Sequence, residues 1–262
     1  MTINPSFIDI DFPTQPQYVA GDLGIRALDQ RCAAYGDSIN VIPESKWKDE
    51  AAAIQAAGGG CSQLVSRIYN QGQEGSCVAN ACAQALEIIQ AKQIGKANVV
   101  PLSAISLYKR IGRSAQSGAM VSDGLEEMAS RGILPLDTPA NRAKYGSAVM
   151  PNTGFREPYP AGWETTAAKF RGTEWFIINS VAELITALLN QHPVVVGRSG
   201  HSICYADVIY QGNEMLVPYP NSWGPWGSAF AGHPSGWGFD SIRNIRSSAS
   251  WAFALRAATV NL

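Results

Sequence analysis

Residues 70–81 read Asn-Gln-Gly-Gln-Glu-Gly-Ser-Cys-Val-Ala-Asn-Ala, a glycine-rich turn that leads into an alanine-rich segment with apolar residues at helical spacing. The turn places Cys77 where the predicted helix begins, and the positive end of a helix dipole lowers the pKa of a thiol. Gln71 lies six residues earlier, where its amide N–H can point at a developing oxyanion together with the backbone N–H of Cys77. The stretch therefore predicts a cysteine nucleophile for acyl transfer.

Two further features lie far downstream and complete the predicted site. His201 opens an apolar strand, whereas His192 and His233 lie in contexts typical of surface or turn residues. Asn221 then begins an Asn-Ser-Trp-Gly run. In a working site His201 would take the proton of the cysteine, Asn221 would fix its tautomer, and Trp223 would shield their hydrogen bond from water.

The order of these motifs resembles that of the papain family of cysteine peptidases. A Gln, a Gly-Ser-Cys nucleophile, a His and an Asn-Ser-Trp-Gly run occur in that family in this sequence order, and here they are Gln71, Cys77, His201, Asn221 and Trp223. His201 and Asn221 follow Cys77 by 124 and 144 residues. The family spacing is about 130–150 residues, so the first interval is slightly short and the second fits.

The resemblance covers about residues 43–245 and implies an α+β, two-lobed fold. A helical lobe with a central catalytic helix would face an antiparallel β lobe, with the active-site cleft between them. On this basis we expect an extended N-terminal arm (1–42) and a peptidase domain (43–262). The peptidase domain would consist of a helical lobe (about 43–135), a crossing segment (about 136–170) and a β lobe (about 171–262).

Local patterns make the expectation more specific. The predicted helices span residues 46–57, 77–92 ending near Gly95, 103–111, about 122–131 with Ser122 and Asp123 as cap, and 181–190. Strands are predicted at residues 193–198, 202–210, 214–219 and 250–260. Residues 133–170 show little periodicity and read as a surface crossing between the halves.

Two positions depart from the family pattern. Family members usually have a disulfide-bonded cysteine three residues before the nucleophile and an aromatic residue after it, where this chain has Glu74 and Val78. The carboxylate of Glu74 would select basic substrates, while the sign of its net effect on the Cys77–His201 pair is left open. Ser117 and Gly118 stand where the family has paired cleft glycines, so both are expected to bind substrate, as is Glu74.

Composition excludes several classes of function. The net charge is −1 with no cluster of Lys and Arg, which argues against a nucleic-acid partner, and no apolar run is long enough to span a membrane. Five cysteines, at 32, 61, 77, 82 and 204, show neither disulfide-framework nor Cys-x-x-Cys spacing. We therefore expect a peptide or protein substrate, no metal, no cofactor and a reducing compartment, either the cytoplasm or a virion.

The sequence leaves two main functions open. One is a cysteine peptidase that hydrolyses peptide or isopeptide bonds through a Cys-His-Asn triad and a thioester. The other is a structural or interaction component of a large assembly, such as a virus or phage particle, that reuses the peptidase fold and contacts neighbouring subunits through its N-terminal arm and C-terminus. An amidase acting on cell-wall peptide is a third reading. The arm is shorter than the family's long pro-segment, and we expect it to be an extended strap that can block the cleft.

Overall fold

The computed structural model describes residue 21 and residues 33–198, 200–247 and 251–261. Its helices are α1 (Tyr35–Ser38), α2 (Trp47–Ala56), α3 (Cys77–Ile94), α4 (Ala104–Ile111), α5 (Val121–Ser130), α6 (Pro139–Tyr145), α7 (Trp163–Ala167), α8 (Val181–Leu189) and α9 (Ile242–Ser247). Its strands are β1 (Phe170–Ile178), β2 (Val194–Arg198), β3 (His201–Tyr205), β4 (Ile209–Gln211), β5 (Glu214–Pro220), β6 (Trp237–Ser241) and β7 (Trp251–Val260).

The central helix is α3, as the alanine-rich segment predicts. Every residue from Cys77 to Ala91 is buried, because helices and strands cover the small side chains on all sides. The helix ends at Ile94 and is followed by Gly95, whose φ of 83° is a backbone conformation that favours glycine. This helix carries Cys77 at its N-terminus into the middle of the molecule.

Two antiparallel sheets form the β part of the fold. One has the strand order β1-β7-β2-β3 and the other β4-β5-β6. Strands β2 and β3 are antiparallel neighbours, and Arg198 and His201 are the last pair of their ladder. Strand β3 packs against α3, which brings the strand that begins at His201 against the helix that begins at Cys77.

Some predicted boundaries were wrong, and side-chain hydrogen bonds account for part of the differences. The strand predicted over 202–210 is split into β3 and β4, because the carboxylate of Asp207 accepts the N–H of Val208 (2.8 Å) and takes that residue out of the ladder. Helix α5 begins at Val121 without a side-chain cap, so Ser122 and Asp123 lie inside its first turn.

The crossing segment holds more regular structure than its composition predicts. Helix α6 begins at Pro139 behind a Thr138 side chain that accepts the N–H of Asn141 (3.1 Å). Helices α6 and α7 are only 7 and 5 residues long, which is too short for a periodic signal. Strand β1 was not predicted, because register shifts between Gly172 and Trp175 break its alternation.

The buried apolar residues form two clusters. The larger surrounds α3 and includes residues of α4, α5, β2 and β7, and the smaller joins α8 to the sheets. Trp47 and Ala51 of α2 belong to the smaller cluster although they fall in the range predicted for the helical lobe. Most of the predicted arm (residues 1–20 and 22–32) lies outside the described residues, and the domain boundaries stay predictions. No helix in the described part of the chain combines the length and apolar character needed to cross a bilayer.

Candidate active site

Cys77 is the first residue of α3 and is fully buried. The turn before it needs glycine, since a Cβ added to Gly75 would lie 2.9 Å from the backbone nitrogen of Gly118. The N–H of Gly75 donates to the carbonyl of Ala115 (2.7 Å), which fixes this turn to the loop that follows α4. The helix dipole therefore points its positive end at the sulfur from a turn held on both sides.

His201 is hydrogen-bonded to Asn221 in the way the motif predicts. Its Nε2 lies 3.0 Å from Oδ1 of Asn221, and that oxygen also accepts the backbone N–H of Ser222 at 2.8 Å. Because Oδ1 is an acceptor in both contacts, Nε2 must carry the hydrogen, which leaves the lone pair of a neutral imidazole on Nδ1. The indole of Trp223 lies against the imidazole, with ring centroids 4.9 Å apart.

Burial controls the charge of His201 in this conformation. The side chain is almost wholly buried, and desolvation lowers the pKa of His201 to about 4 although the hydrogen bond to Asn221 opposes the shift. The positive charge of Arg198 lowers the pKa of His201 further. The imidazole is therefore neutral at neutral pH while the cleft has this conformation.

Asp240 balances the charge of Arg198 beside the site. The guanidinium forms an ion pair with the Asp240 carboxylate, which also accepts the Tyr205 hydroxyl hydrogen. Asp240 is only 3% exposed, and burial raises the pKa of Tyr205, which keeps its hydroxyl protonated as a donor. This cluster joins the end of β2 to β3 and β6.

Gln71 is held by residues of the Asn-Ser-Trp-Gly run. Its Oε1 accepts the hydroxyl of Ser222 (2.6 Å), and its Nε2 donates to the carbonyl of Glu74 (2.8 Å). The backbone N–H of Gln71 also donates to the carbonyl of Ser222 (2.8 Å). Sequence reasoning assigned no role to Ser222, although its position between Asn221 and Trp223 was a signal that could have found it.

Glu74 has a structural contact that the sequence does not reveal. Its Oε1 accepts the backbone N–H groups of Gly154 (2.9 Å) and Phe155 (2.8 Å). Within the described residues its Oε2 is buried and has no hydrogen-bond partner. The carboxylate thus ties the nucleophile turn to the crossing segment where family members have a disulfide, and selection of basic substrates by Glu74 stays a prediction.

Ser117 and Gly118 lie in the loop that faces the nucleophile turn. The Ser117 hydroxyl oxygen accepts the N–H groups of Arg113 (2.9 Å) and Ser114 (3.1 Å), so this side chain holds its own turn together. Gly118 has a φ of 70°, and its N–H donates to the hydroxyl of Tyr108 (3.1 Å). Of these two predicted substrate-binding residues, Gly118 is the one next to the nucleophile turn, since a Cβ added to Gly75 would lie 2.9 Å from its nitrogen.

A residue of the N-terminal arm lies between the two sides of the site. The N–H of Gly21 donates to the carbonyl of Gly200 (2.9 Å), and its carbonyl accepts the N–H of Ala119 (2.6 Å). Gly200 immediately precedes His201, and Ala119 follows Gly118. The position of Gly21 could not be predicted from the sequence, because its contacts depend on tertiary structure alone.

The other described cysteines are free and buried. Cys61, Cys82 and Cys204 are not in disulfides, and burial raises the pKa of Cys61 and Cys82 to about 12, which suppresses thiolate formation. Cys32 lies outside the described residues. Among the residues described, no group of three or more His, Cys, Asp or Glu side chains is arranged to hold a metal ion.

Several solved structures of cysteine proteases are similar to this chain in fold. Xylellain, a cysteine protease from Xylella fastidiosa, superposes with a TM-score of 0.62 at 18% identity, over 92% of this chain and 97% of that one. The fold is that of the papain-like cysteine proteases. Digestive procathepsin L2 from the larval midgut of Tenebrio molitor gives a TM-score of 0.63 at 16% identity, over 92% of this chain and 78% of that chain.

The recombinant stem bromelain precursor is a further structure with this papain-like fold. It gives a TM-score of 0.58 at 14% identity, over 94% of this chain and 78% of its own. No family model matches the sequence, and no curated protein is similar to it. The similarity to these solved structures confirms the predicted α+β, two-lobed papain-like fold. At this level of sequence identity it shows the fold and not the activity.

Proposed function

We propose that this chain is a papain-like cysteine peptidase that hydrolyses peptide or isopeptide bonds through Cys77, His201 and Asn221. The observation that carries the proposal is the hydrogen bond between Nε2 of His201 and Oδ1 of Asn221. It assigns the proton to Nε2 and makes Nδ1 the basic atom, as a thiol-activating histidine requires. The papain-like fold supports the same assignment.

The first half of the reaction forms a thioester. Nδ1 of His201 takes the proton of Cys77, and the thiolate attacks the substrate carbonyl carbon. The negative charge on the carbonyl oxygen is stabilised by the amide of Gln71 and the backbone N–H of Cys77. The imidazolium then gives its proton to the leaving amine, and the C–N bond breaks.

The second half of the reaction restores the thiol. Nδ1 of His201 removes a proton from water, and the resulting hydroxide attacks the thioester carbonyl. The C–S bond breaks, the acid product leaves, and the proton returns to the sulfur of Cys77. Asn221 holds the imidazole in one orientation through both proton transfers, which is why an uncharged partner is sufficient.

The described conformation is a resting state of this site. Cys77 is 0% exposed and His201 is 4% exposed, and Gly21 is hydrogen-bonded to Gly200, which directly precedes His201. We infer that a substrate reaches the sulfur only after Gly21 leaves the cleft. Removal of that residue admits water, which weakens the desolvation that keeps the imidazole neutral. We therefore expect the thiolate–imidazolium pair to form when the cleft opens.

The proposal also covers the kind of substrate and the cellular compartment. The substrate is a peptide or protein, and the four described free thiols suit a reducing compartment. The choice between cytoplasm and virion and any contact with neighbouring subunits stay predictions. No comparison supports the alternative of an assembly component without catalysis.

Hydrolysis by matched variants tests the proposal. We expect the full chain to cleave a mixed peptide library, Cys77→Ala to abolish cleavage, and Asn221→Ala to lower kcat less than His201→Ala does. Far-UV circular dichroism checks that each variant is folded. Cleavage that survives in Cys77→Ala would contradict the proposed nucleophile.

A further inference from the structure

The space around Gly21 has no room for a side chain. A Cβ added to Gly21 would lie 2.2 Å from the carbonyl oxygen of Gly75 and 2.6 Å from its carbonyl carbon. Both are backbone atoms of the turn that precedes Cys77, so no rotation of a flexible side chain relieves the overlap. Any larger residue at this place has to move the nucleophile turn or stay out.

Gly118 lies next to Gly75 and approaches Gly21 equally closely. A Cβ added to Gly118 would lie 2.4 Å from the carbonyl oxygen of Gly21, and the one added to Gly75 would meet the Gly118 nitrogen. Gly75 and Gly118 therefore lie side by side and form one wall of a slot, and this wall leaves no room for a Cβ on the residue that packs against it. The slot lies beside the catalytic pair, because Gly75 precedes Cys77 by two residues and Gly200 directly precedes His201.

The slot binds peptide backbone, as its occupant demonstrates. Gly21 is buried and makes a hydrogen bond to each side, with the carbonyl of Gly200 and the N–H of Ala119. These two groups bind the main chain of any residue, so the volume of the slot decides which side chains fit. A subsite of this kind discriminates by excluding larger residues, since a wrong side chain has to displace backbone.

We propose that the cleft contains a glycine-selective subsite, bounded by Gly75 and Gly118 and hydrogen-bonded through Ala119 and Gly200, and that Gly21 is its internal occupant. One consequence rests on the proposed function: if the chain is a peptidase, it cleaves peptides in which the residue that enters this slot is glycine. Substrates with alanine or a larger residue there are cleaved poorly.

Exposure of Cys77 tests the subsite without requiring catalysis. The full chain, Gly21→Ala and Gly21→Val are treated with iodoacetamide at about pH 9, where an accessible thiol is largely ionised, and alkylation of Cys77 is followed by peptide mapping. We expect alkylation to be roughly tenfold faster or more in Gly21→Val than in the unsubstituted chain, with Gly21→Ala also faster, because overpacking favours the vacated slot.

A glycine in open space provides the matched control. Gly212 has a φ of 62° and nothing within 4 Å of an added Cβ, and asparagine tolerates that conformation. Gly212→Asn should leave the alkylation rate of Cys77 unchanged. A Gly21→Val protein that is folded and as slowly alkylated as the unsubstituted chain would overturn the glycine-selective subsite.

Substrate preference then separates this inference from the proposed function. Peptide pools carrying Gly, Ala or Val at one fixed position at a time are given to Gly21→Val, and we expect one position at which Gly exceeds Ala by roughly tenfold. Cleavage without such a position contradicts the subsite and leaves the peptidase standing. If no pool is cleaved, the proposed function fails and the alkylation rates alone decide the subsite.

Discussion

At the scale of single residues, the site depends on polar side chains held at both ends. Gln71 accepts from Ser222 through Oε1 and donates to the carbonyl of Glu74 through Nε2. An amide fixed in this way needs little reorganisation when charge develops on the substrate oxygen, which is the condition for effective oxyanion stabilisation.

Replacement of Gln71 tests this role. Gln71→Ala should lower kcat by about 10²–10³ with a smaller change in KM, because the lost interaction acts in the transition state. Steady-state kinetics on one peptide substrate measures both constants. Gln63→Ala is the control, since that glutamine is exposed. A Gln71→Ala enzyme with unchanged kcat would remove Gln71 from the oxyanion site.

At this scale, the candidate catalytic residues could be predicted from the sequence, whereas the hydrogen-bond partners of the site residues could not. The order of Gln71, Cys77, His201 and Asn221 was readable because motifs preserve spacing along the chain. The partners of Glu74 were not, since the amides of Gly154 and Phe155 lie 80 residues or more away in sequence. The position of Gly21 was equally unpredictable, because contacts made by backbone atoms do not depend on a recognisable sequence pattern.

At the scale of elements, α3 is anchored by a buried carboxylate. Glu87 is fully buried and accepts hydrogen bonds from the hydroxyls of Ser66 (2.9 Å) and Tyr69 (2.7 Å) and from the N–H of Leu102 (2.7 Å). Arg67 forms an ion pair with the same carboxylate (3.1 Å). The helix that carries Cys77 is thereby tied to the segments that lead into the nucleophile turn and into α4.

Replacement of Glu87 should strongly lower the stability of the protein. Glu87→Ala leaves several buried donors and the Arg67 charge without their acceptor, so we expect the free energy of unfolding to fall by about 3–5 kcal/mol. Urea denaturation followed by circular dichroism measures the change. Glu126→Ala, at an exposed position of α5, should change stability by less than about 0.5 kcal/mol. Equal effects from the two substitutions would exclude the anchoring role.

Elements with long, regular patterns were predictable and short or irregular ones were not. Helix α3 has 18 residues and a glycine stop, so both its existence and its end could be read from the sequence. The start of α5 was misread because Ser122 resembles a cap although no side-chain cap forms there. Strand β1 was missed because its bulge interrupts the alternation of buried and exposed residues.

At the scale of the whole molecule, one buried and one partly buried histidine make stability depend on pH. Burial lowers the pKa of both His201 and His192 to about 4, whereas a histidine in an unfolded chain titrates near pH 6.5. The unfolded state therefore binds more protons below about pH 6.5. The contribution of each neutral histidine is complete above that pH and is lost as the pH falls through about 4.

His192 allows this dependence to be tested away from the catalytic groups. Its Nδ1 lies 2.9 Å from the hydroxyl of Tyr35. Between about pH 6.5 and 4, the urea midpoint of His192→Gln should fall less steeply than that of the unsubstituted chain, even if its stability is lower throughout. Parallel curves for the two proteins would show that His192 does not contribute to the acid-induced loss of stability.

The central claim is that Cys77 and His201 form a working catalytic pair in this fold. Its most direct test is labelling of the full chain and of Gly21→Val with an epoxide inactivator of cysteine proteases, scored by intact mass and peptide mapping against Cys77→Ala and His201→Ala. We predict a single modification at Cys77 that is faster in Gly21→Val and is lost in His201→Ala. Absence of label at Cys77 in folded Gly21→Val, or equal labelling without His201, would contradict the account.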